Sequence, residues 1–484
     1  MSLRRFHCLA LMLELVLPAV ARAAPDRLSA AITRQMHVNQ ERYGIAGQAV
    51  LVAHNGKVLF RGAEGQADIA SGRPVRTTDI FPVYSLAKLF ASTLVMQLVE
   101  RGEVDLDGPA SAHVPLLPAA WQAITVRQFL DHTSGVPEYF NEAQAMPSFP
   151  GTLPAALTAL AGKPLQFAPG SASRYTQTNY LVLTALLEAR YGKPYAQIAH
   201  ERIVDKLRLG HTSLGGRALP QGGALPQGGA LPQGGAVTAY TSKNGRLEPS
   251  PVVSWPEYAY GHAELYSTLD DLATFLQALR SGALVDRATL ARLWQPPTLS
   301  NGQRGVFAAG WEYGESGEYR HVGHDGGARV RLRWTFRDTP AGDGYVFIYL
   351  TSGSVKNVWS RTLVNSVMAA VAPKDFPTEA VSAGLIDYAF EPSADGGAAA
   401  QAAKLRTNPA VRGAALEGAV NGTGYAVREI IGVAESIRLF ELNTLLFPSS
   451  ANAWDSLAEA WQAQGDNDKA KKLYEKSRAL GGPK

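Results

Sequence analysis

The sequence has little cysteine and little charge, and it contains no recognisable metal motif. Cys8 is the single cysteine among 484 residues, and it lies in an N-terminal segment that is expected to be removed. Disulfide bonds, thiol catalysis and cysteine-ligated metals are therefore excluded for the mature chain. The formal net charge of +4 is too small to predict a nucleic-acid partner. The ten histidines show no spacing such as His-Glu-x-x-His, so no metal and no other cofactor is expected.

Long hydrophobic runs are also missing. Arg4 and Arg5 precede an apolar run over residues 6–17, and a small-x-small site ends at Ala23. This pattern is typical of a secretory signal peptide, so residues 1–23 are predicted to be cleaved and the protein to be exported, to the periplasm or outside the cell. The run is shorter than the about 20 residues of a spanning helix, and no later run reaches that length. No membrane span is expected.

Hydrophobic patterning predicts an α+β fold. Asn55-Gly56 joins two strand-like runs and is a strong hairpin signal. A helical pattern extends from Ser85 to Arg101 and stops at Gly102. Because strand patterns recur near the end of this region, we predict an antiparallel sheet built from both ends of the domain and flanked by helices. The other predicted helices cover 180–190, 269–280 and 359–371, and the other predicted strands 328–336 and 345–351.

Two kinds of repeat occur. Residues 218–235 are three copies of Ala-Leu-Pro-Gln-Gly-Gly, whose proline and paired glycines favour an exposed loop. Residues 416–484 carry a weaker 34-residue repeat, in which Gly424 and Phe440 recur as Ala458 and Tyr474. That spacing of small and aromatic residues is typical of tetratricopeptide helices, and two copies are expected to dock on the main domain. The segment 376–415, rich in Ala, Gly and Pro, is interpreted as a linker.

The tetrad Ser85-Leu86-Ala87-Lys88 carries the chemistry. One helical turn places Lys88 beside Ser85, at the positive end of the helix dipole. Burial would favour the neutral amine, which can accept the serine proton, and the N–H of Ser85 can bind an oxyanion. The alternative is a helix-capping serine followed by a lysine whose stem packs on apolar surface.

Further motifs follow in a fixed order along the chain, and they decide between these readings. The motifs are found at 80–88, 102–107, 124–137, 167–170, 175–180, 265–272 and 321–327. In this order and spacing the chain resembles the class C β-lactamase and penicillin-binding-protein-like serine hydrolases, a family that also holds esterases and D-stereospecific peptidases. The resemblance covers residues 27–373 and implies an all-helical domain beside the sheet.

The resemblance implies a role for each matching residue. Ser85 matches the acylated nucleophile and Lys88 its proton acceptor. Tyr175 matches the tyrosine that relays a proton to the leaving group. The backbone N–H groups of Ser85 and His324 are expected to form the oxyanion hole.

Two substrate-binding positions depart from the family pattern. Gln177 stands where the family has asparagine, with Asn179 as a competing candidate. His321-Val322-Gly323 matches the Lys-Thr-Gly motif, and His321 and Gly323 are expected to contact substrate. The register His324-Asp325-Gly326 is the alternative. Because histidine is charged only below about pH 6.5 and Val322 lacks a hydroxyl, attraction for a substrate carboxylate is expected to be weak.

The remaining polar residues are interpreted as structural. His132 is expected to support a turn, and Glu264 is expected at the surface rather than in the pocket. Four arginines project from one strand face, where they could attract anions but are better explained as a solvated or ion-paired face. They are Arg329, Arg331, Arg333 and Arg337.

Two functions from different classes remain. The first is an exported serine hydrolase acting through a Ser85 acyl-enzyme on a small-molecule or peptide substrate, with ester and D-peptide substrates favoured over β-lactams. The second is a non-catalytic scaffold with a vestigial fold, in which the C-terminal helices bind a protein partner.

Overall fold

The computed structural model describes residues 27–141, 147–215, 235–391 and 397–483. The predicted signal peptide and all but the last residue of the 218–235 repeat lie outside the described residues. Within the described ranges, no helix combines the length and the apolar character that crossing a bilayer requires.

The strands form one large antiparallel sheet and two small ones. The eight-stranded sheet has the order β3-β2-β1-β13-β12-β11-β10-β9, and the small sheets are β4-β8-β5 and the hairpin β6-β7. The strands are β1 Gly47–His54, β2 Lys57–Asp68, β3 Arg73–Pro74, β4 Phe81–Pro82, β5 Ser213–Leu214, β6 Tyr240–Lys243, β7 Arg246–Pro249, β8 Leu265–Ser267, β9 Phe307–Ala308, β10 Trp311–Ser316, β11 Tyr319–Gly326, β12 Val330–Phe336 and β13 Tyr345–Thr351.

The helices flank this sheet, fill the middle of the chain and continue to its end. They are α1 Arg27–Tyr43, α2 Ala87–Glu100, α3 Val126–Leu130, α4 Leu153–Leu160, α5 Thr178–Tyr191, α6 Tyr195–Ala199, α7 Asp205–Leu207, α8 Leu269–Ser281, α9 Arg287–Leu293, α10 Ser360–Val371, α11 Pro377–Phe390, α12 Gly397–Arg406, α13 Gly413–Ile430, α14 Val433–Leu446, α15 Ala451–Gln464 and α16 Asn467–Ala479. A π-helical turn, His200–Val204, joins α6 to α7.

The predicted sheet is confirmed. Asn55 and Gly56 both have positive φ, 52° and 82°, as a tight hairpin turn between β1 and β2 requires. β1 also pairs with β13, from Gln48 opposite Thr351 to His54 opposite Tyr345. The two ends of the hydrolase-like region therefore meet in the centre of one antiparallel sheet.

Helices cover both faces of the sheet. The main core lies on one face and surrounds α2, in which every residue from Ala87 to Leu98 is buried. A helix buried on all sides needs no polar face, which explains why apolar residues occur on every side of α2. The other face is covered by α1 and α10, which pack on Val52 and Phe347. The site motifs meet where α2 begins.

The C-terminal segment differs from its prediction. The expected linker contains α11 and α12, and these helices share a hydrophobic cluster with α13 and α14 around Leu385 and Leu439. Alanine is a strong helix former, so the alanine-rich composition favours helix where the chain can also bury an apolar face. Ile430 packs in the cluster that α1 and α10 form on the sheet, so these helices contact the main domain directly.

Candidate active site

Ser85 lies in a tight turn between β4 and α2. Its predecessors are fixed by the sheet, because the Val83 N–H donates to the Leu265 carbonyl at 2.8 Å. Tyr84 has a left-handed φ of 49°, a strained conformation for a residue with a side chain. Arg329 Nη1 donates to the Tyr84 hydroxyl at 2.8 Å and holds it there. The turn presents the Ser85 hydroxyl to an open cavity while α2 continues into the core.

Lys88 and Tyr175 converge on the Ser85 hydroxyl. Lys88 Nζ lies 3.2 Å from Ser85 Oγ, and the Tyr175 hydroxyl lies 3.0 Å from the same oxygen. The Lys88 side chain is fully buried, and its Nζ is 4.9 Å from the centre of the Tyr175 ring. The Ser85 hydroxyl thus has an amine and a phenol within hydrogen-bond reach, an arrangement that can activate a serine and protonate a leaving group.

Gln177 lies beside Lys88, and Asn179 does not. Gln177 Oε1 accepts from Lys88 Nζ at 2.6 Å. Asn179 is fully buried, where it accepts from the Ser134 hydroxyl at 2.6 Å and lies 2.9 Å from His132 Nδ1. Gln177 therefore takes the position beside the lysine, and Asn179 supports the loop from the buried side.

His132 supports Tyr175 from behind. Its ring lies 4.7 Å from the Tyr175 ring, and its Nδ1 accepts from the Thr176 N–H at 3.2 Å. Burial, with a contribution from the Lys88 charge, lowers the pKa of His132 well below its ordinary value. The residue is a neutral packing and hydrogen-bonding partner with no contact to Ser85 among those described.

Sequence reasoning missed Glu138, which fixes the loop that carries Tyr175 and Gln177. Glu138 Oε2 accepts from the Gln177 N–H at 2.8 Å and from the Thr176 hydroxyl at 3.0 Å. Its Oε1 accepts from the Thr178 hydroxyl at 3.2 Å, at the beginning of α5. A carboxylate at a helix N-terminus is stabilising. Glu138 follows the His-Thr-Ser-Gly motif by three residues, but nothing in its local sequence indicates which loop it would contact.

Replacing Glu138 by glutamine is expected to lower kcat/KM about tenfold to a hundredfold and the free energy of unfolding by about 1–3 kcal/mol, because charge-assisted hydrogen bonds to the loop are lost. Steady-state kinetics and urea unfolding check this. Glu248→Gln, at an exposed carboxylate of β7, is the matched control. Unchanged kinetics in Glu138→Gln would show that the loop does not need this anchor.

His321, expected to contact substrate, does not line the cavity at Ser85; His324 does. The cavity at Ser85 has a volume of about 360 Å³, and its lining includes Tyr175, Gln177 and His324. His321 lines a neighbouring cavity instead. The two registers differ by three residues, an odd number, so they place opposite faces of β11 toward the site. The structure places the alternative register, His324-Asp325-Gly326, beside Ser85, and Gly323 is likewise absent from the lining.

Gly326 and Gly327 have a packing role in this register. A Cβ on Gly326 would overlap the Val83 carbonyl oxygen, so only glycine lets the end of β11 approach the turn before Ser85. Gly327 lies against the Tyr84 ring, has a φ of 53° and lines the catalytic cavity. The sequence predicted the backbone N–H of His324 as an oxyanion donor, three residues after His321. When the motif begins at His324, the equivalent backbone N–H belongs to Gly327.

The His324 imidazole is neutral in the folded protein. Burial, followed by the Lys88 charge, lowers its pKa to about 4. Its Nδ1 lies 2.6 Å from the Asp325 carbonyl oxygen, and because a carbonyl only accepts, Nδ1 carries the proton. Nε2 is then an acceptor. The position that holds a permanent cation in efficient β-lactamases is uncharged here.

Two of the four arginines of the predicted face, Arg331 and Arg333, are buried rather than solvated, and Arg329 and Arg337 are half-buried. Arg331 is 1% exposed and forms ion pairs with Glu312 at 2.7 Å and Asp325 at 2.5 Å. Arg361 adds a second ion pair to Glu312 at 2.6 Å. Although burial opposes it, these guanidinium groups hold the pKa of Glu312 below its ordinary value. The ion-paired interpretation holds for Arg331, and the solvated one is wrong for Arg331 and Arg333.

Glu264 and His262 lie just before β8, and His262 contacts a residue of the site. Glu264 has a φ of 58° and does not line the catalytic cavity, and burial raises its pKa to about 7. His262 is buried; its backbone carbonyl accepts from Lys88 Nζ at 3.2 Å and its Nε2 lies 3.1 Å from the Tyr139 hydroxyl. His262 is therefore a second residue that sequence reasoning missed, since it holds the lysine through a main-chain oxygen.

Known proteins are similar to the region of the chain that contains this site. The family model described as Beta-lactamase matches residues 28–362. The chain is 28% identical to esterase EstB of Burkholderia gladioli over 297 residues, which cover 56% of this chain and 74% of that protein. It is 26% identical to penicillin-binding protein 4* of Bacillus subtilis over 286 residues, which cover 57% of this chain and 62% of that protein.

Solved structures show the same fold at lower sequence identity. EstCE1, described as a hydrolase with promiscuous acyltransferase activity, superposes with a TM-score of 0.59 at 20% identity, covering 71% of this chain and 98% of EstCE1. D-amino acid amidase of Ochrobactrum anthropi SV3 superposes with a TM-score of 0.57 at 22% identity, covering 72% of this chain and 99% of the amidase.

Proposed function

Since the chain belongs to the Beta-lactamase family of serine hydrolases, we propose that it hydrolyses esters or D-amino-acid amides and peptides through an acyl-enzyme on Ser85. One observation carries the proposal: Ser85 Oγ lies 3.2 Å from Lys88 Nζ and 3.0 Å from the Tyr175 hydroxyl, at the mouth of a cavity. A vestigial fold would have no reason to keep a fully buried lysine directed at a serine hydroxyl, because burying an amine is costly.

In the proposed mechanism, Lys88 takes the Ser85 proton as Oγ attacks the substrate carbonyl. The N–H groups of Ser85 and Gly327 bind the oxyanion that forms. As the intermediate collapses, the bond to the leaving group breaks and Tyr175 gives that group a proton, which Lys88 resupplies. Water then attacks the acyl carbon and gives a proton to the Tyr175–Lys88 pair. The pair passes that proton to Ser85 Oγ as the bond between Oγ and the acyl carbon breaks, which releases the acid and restores the Ser85 hydroxyl.

The charge around the site favours a substrate without a carboxylate next to the scissile bond. The His324 imidazole is neutral, and the nearby Arg331 and Arg361 are already paired with Glu312 and Asp325. A β-lactam carries a carboxylate that would need a cation or hydroxyl at this position, and Asp325, which follows His324 in the motif, is itself a carboxylate. Esterase EstB and D-amino acid amidase are relatives or structural neighbours whose names agree with this preference.

We expect kcat/KM for a short-chain p-nitrophenyl ester to exceed that for nitrocefin by at least about 100-fold, the order expected when a charged group of one substrate meets no partner. Side-by-side initial rates at pH 7 check this. Because the pKa of His324 is about 4, the preference is expected to stay constant between pH 6 and 8. Faster nitrocefin hydrolysis would instead indicate a β-lactamase.

We further propose that the protein is exported and that α13–α16 form two tetratricopeptide-like repeats, able to bind a protein partner. In the first pair, a Cβ on Gly424 would overlap the Phe440 ring, so the small and aromatic residues of the 34-residue repeat are in contact between α13 and α14. The pair α15 and α16 follows with Ala458 and Ala470 buried. Mass determination of the mature N-terminus after expression with its leader tests export.

A further inference from the structure

A second cavity, of about 460 Å³, adjoins the catalytic one. It lies between the sheet and the helices α10 and α11, and Phe307, Glu312 and Arg361 line both cavities. Its size is within the range of small-molecule sites. Nothing in the proposed acyl-enzyme chemistry uses this cavity. The residues that line it alone are Val306, Tyr313, His321, Arg333, Asn365 and Glu379.

Arg333 is a buried cation without a carboxylate partner. Its side chain is 3% exposed, and among the described residues no carboxylate oxygen lies within 4 Å of it. Nη1 donates to Asn365 Oδ1 at 2.7 Å and contacts Met368 Sδ at 3.1 Å, while Nε has no partner. Burial and then the Arg331 charge lower its pKa to about 9, so it stays charged at neutral pH. A buried charge of this kind is stabilised when an anion joins it.

Glu379 is a buried anion without a cation partner on the same cavity. It is 7% exposed, and one of its oxygens accepts from the Ser316 hydroxyl at 2.5 Å. No lysine or arginine nitrogen of the described residues lies within 4 Å of it. Glu379 and Arg333 are close enough for the carboxylate to favour the charged guanidinium, but they are not in contact. Arg333 and Glu379, with their opposite charges, both line the second cavity.

The other polar groups around the cavity do not compensate these two charges. Glu312 and Arg361 pair with each other at 2.6 Å. Burial lowers the pKa of His321 well below its ordinary value, so its ring is neutral, and His321 Nδ1 is buried without a partner. The lining is therefore neutral in sum and contains one unmatched charge of each sign.

We propose that this cavity binds a zwitterionic α-amino acid, whose carboxylate pairs with Arg333 and whose ammonium group pairs with Glu379. A zwitterion satisfies both buried charges at once, and charge-assisted hydrogen bonds of both kinds are strong in such surroundings. A simple anion or a simple cation leaves one charge of the pair unmatched. The site is distinct from Ser85, so it stands or falls independently of the proposed hydrolysis.

Calorimetric titration of the full-length Ser85→Ala protein tests this site without turnover. The probes are D-alanine, L-alanine, propionate and ethylamine, the last two carrying one charge each. At least one alanine enantiomer is expected to bind in the millimolar range or tighter, and at least tenfold more tightly than propionate or ethylamine. Arg333→Gln and Glu379→Gln, each added to Ser85→Ala, are expected to weaken alanine binding at least tenfold. Arg320→Gln, at an exposed arginine of β11, is the matched control and should not change it.

If Arg333→Gln fails to fold, Glu379→Gln still tests the site. Glu379→Gln should lose the preference for alanine over propionate while it still binds propionate, since Arg333 remains. Three results would overturn the proposal: no heat of binding with either enantiomer, equal affinity for alanine and propionate, or unchanged alanine binding in Glu379→Gln. In each case the cavity holds water only or an unrelated ligand. Hydrolysis by the unmodified enzyme is assayed separately and decides the function of Ser85.

Discussion

Alanine in place of Ser85 is expected to lower kcat/KM for a p-nitrophenyl ester by at least about 1000-fold, because the acyl-enzyme cannot form. The substitution removes one hydroxyl from a half-buried turn, so the protein should fold normally. Removing a strained catalytic group commonly leaves stability unchanged or higher. Purified protein, with its melting temperature measured beside the kinetics, separates lost chemistry from lost folding.

The matched control for this substitution is Ser281→Ala. Ser281 ends α8, where its hydroxyl donates to the Ala278 carbonyl within the same helix. It should keep activity within about twofold, as surface substitutions away from special features generally do. If Ser85→Ala retained comparable activity, another nucleophile would have to be sought.

Methionine in place of Lys88 is expected to lower kcat by about 100-fold to 10,000-fold, the range of a general base. Methionine has a similar length and fills the buried space, so the packing of α2 is largely kept. Stability should nevertheless fall, because Gln177 Oε1 and the His262 carbonyl lose the donor they share. Pre-steady-state acylation rates, measured at saturating ester, show the loss in the chemical step.

Lys193→Met is the matched control for Lys88→Met. Lys193 is exposed and pairs with Glu201 at 2.7 Å, so Lys193→Met makes the same side-chain replacement without touching the site. It is expected to leave the acylation rate unchanged. An acylation rate in Lys88→Met within tenfold of the parent would assign the proton transfer to Tyr175 alone.

Local sequence signals predicted the sheet and the helix that begins after Ser85. The Asn55-Gly56 turn and the apolar run after Ser85 act over a few residues, and both features are found in the structure. The pairing of β1 with β13 followed from the position of the strand patterns at both ends of the region. These features depend on periodicity and turn chemistry, which a single sequence carries.

The register of β11 could not be predicted in the same way. His321 and His324 both precede glycines, and only the face of the strand distinguishes them. That face depends on β12 and the core beneath it, where Val322 and Leu332 are buried. A test of strand alternation, in which Val322 and His324 share the core side, would have favoured His324.

The other features that the sequence did not predict depend on contacts between residues far apart in the chain. Glu138 anchors a loop 39 residues away, and no local pattern predicts that distance. Arg331 and Arg333 alternate with apolar residues as a solvated face would, yet both are buried. Arg331 pairs with Glu312 and Asp325, and Arg333 contacts Asn365 of α10. The alanine-rich segment became helical because α13 and α14 supply a surface for it.

The most direct measurement is the intact mass of the protein after reaction with a fluorophosphonate, with peptide mapping of the adduct. We expect one adduct per chain on Ser85, none in Ser85→Ala and slower labelling in Lys88→Met. An adduct on a different residue, or unlabelled protein that still hydrolyses the ester, would contradict this expectation.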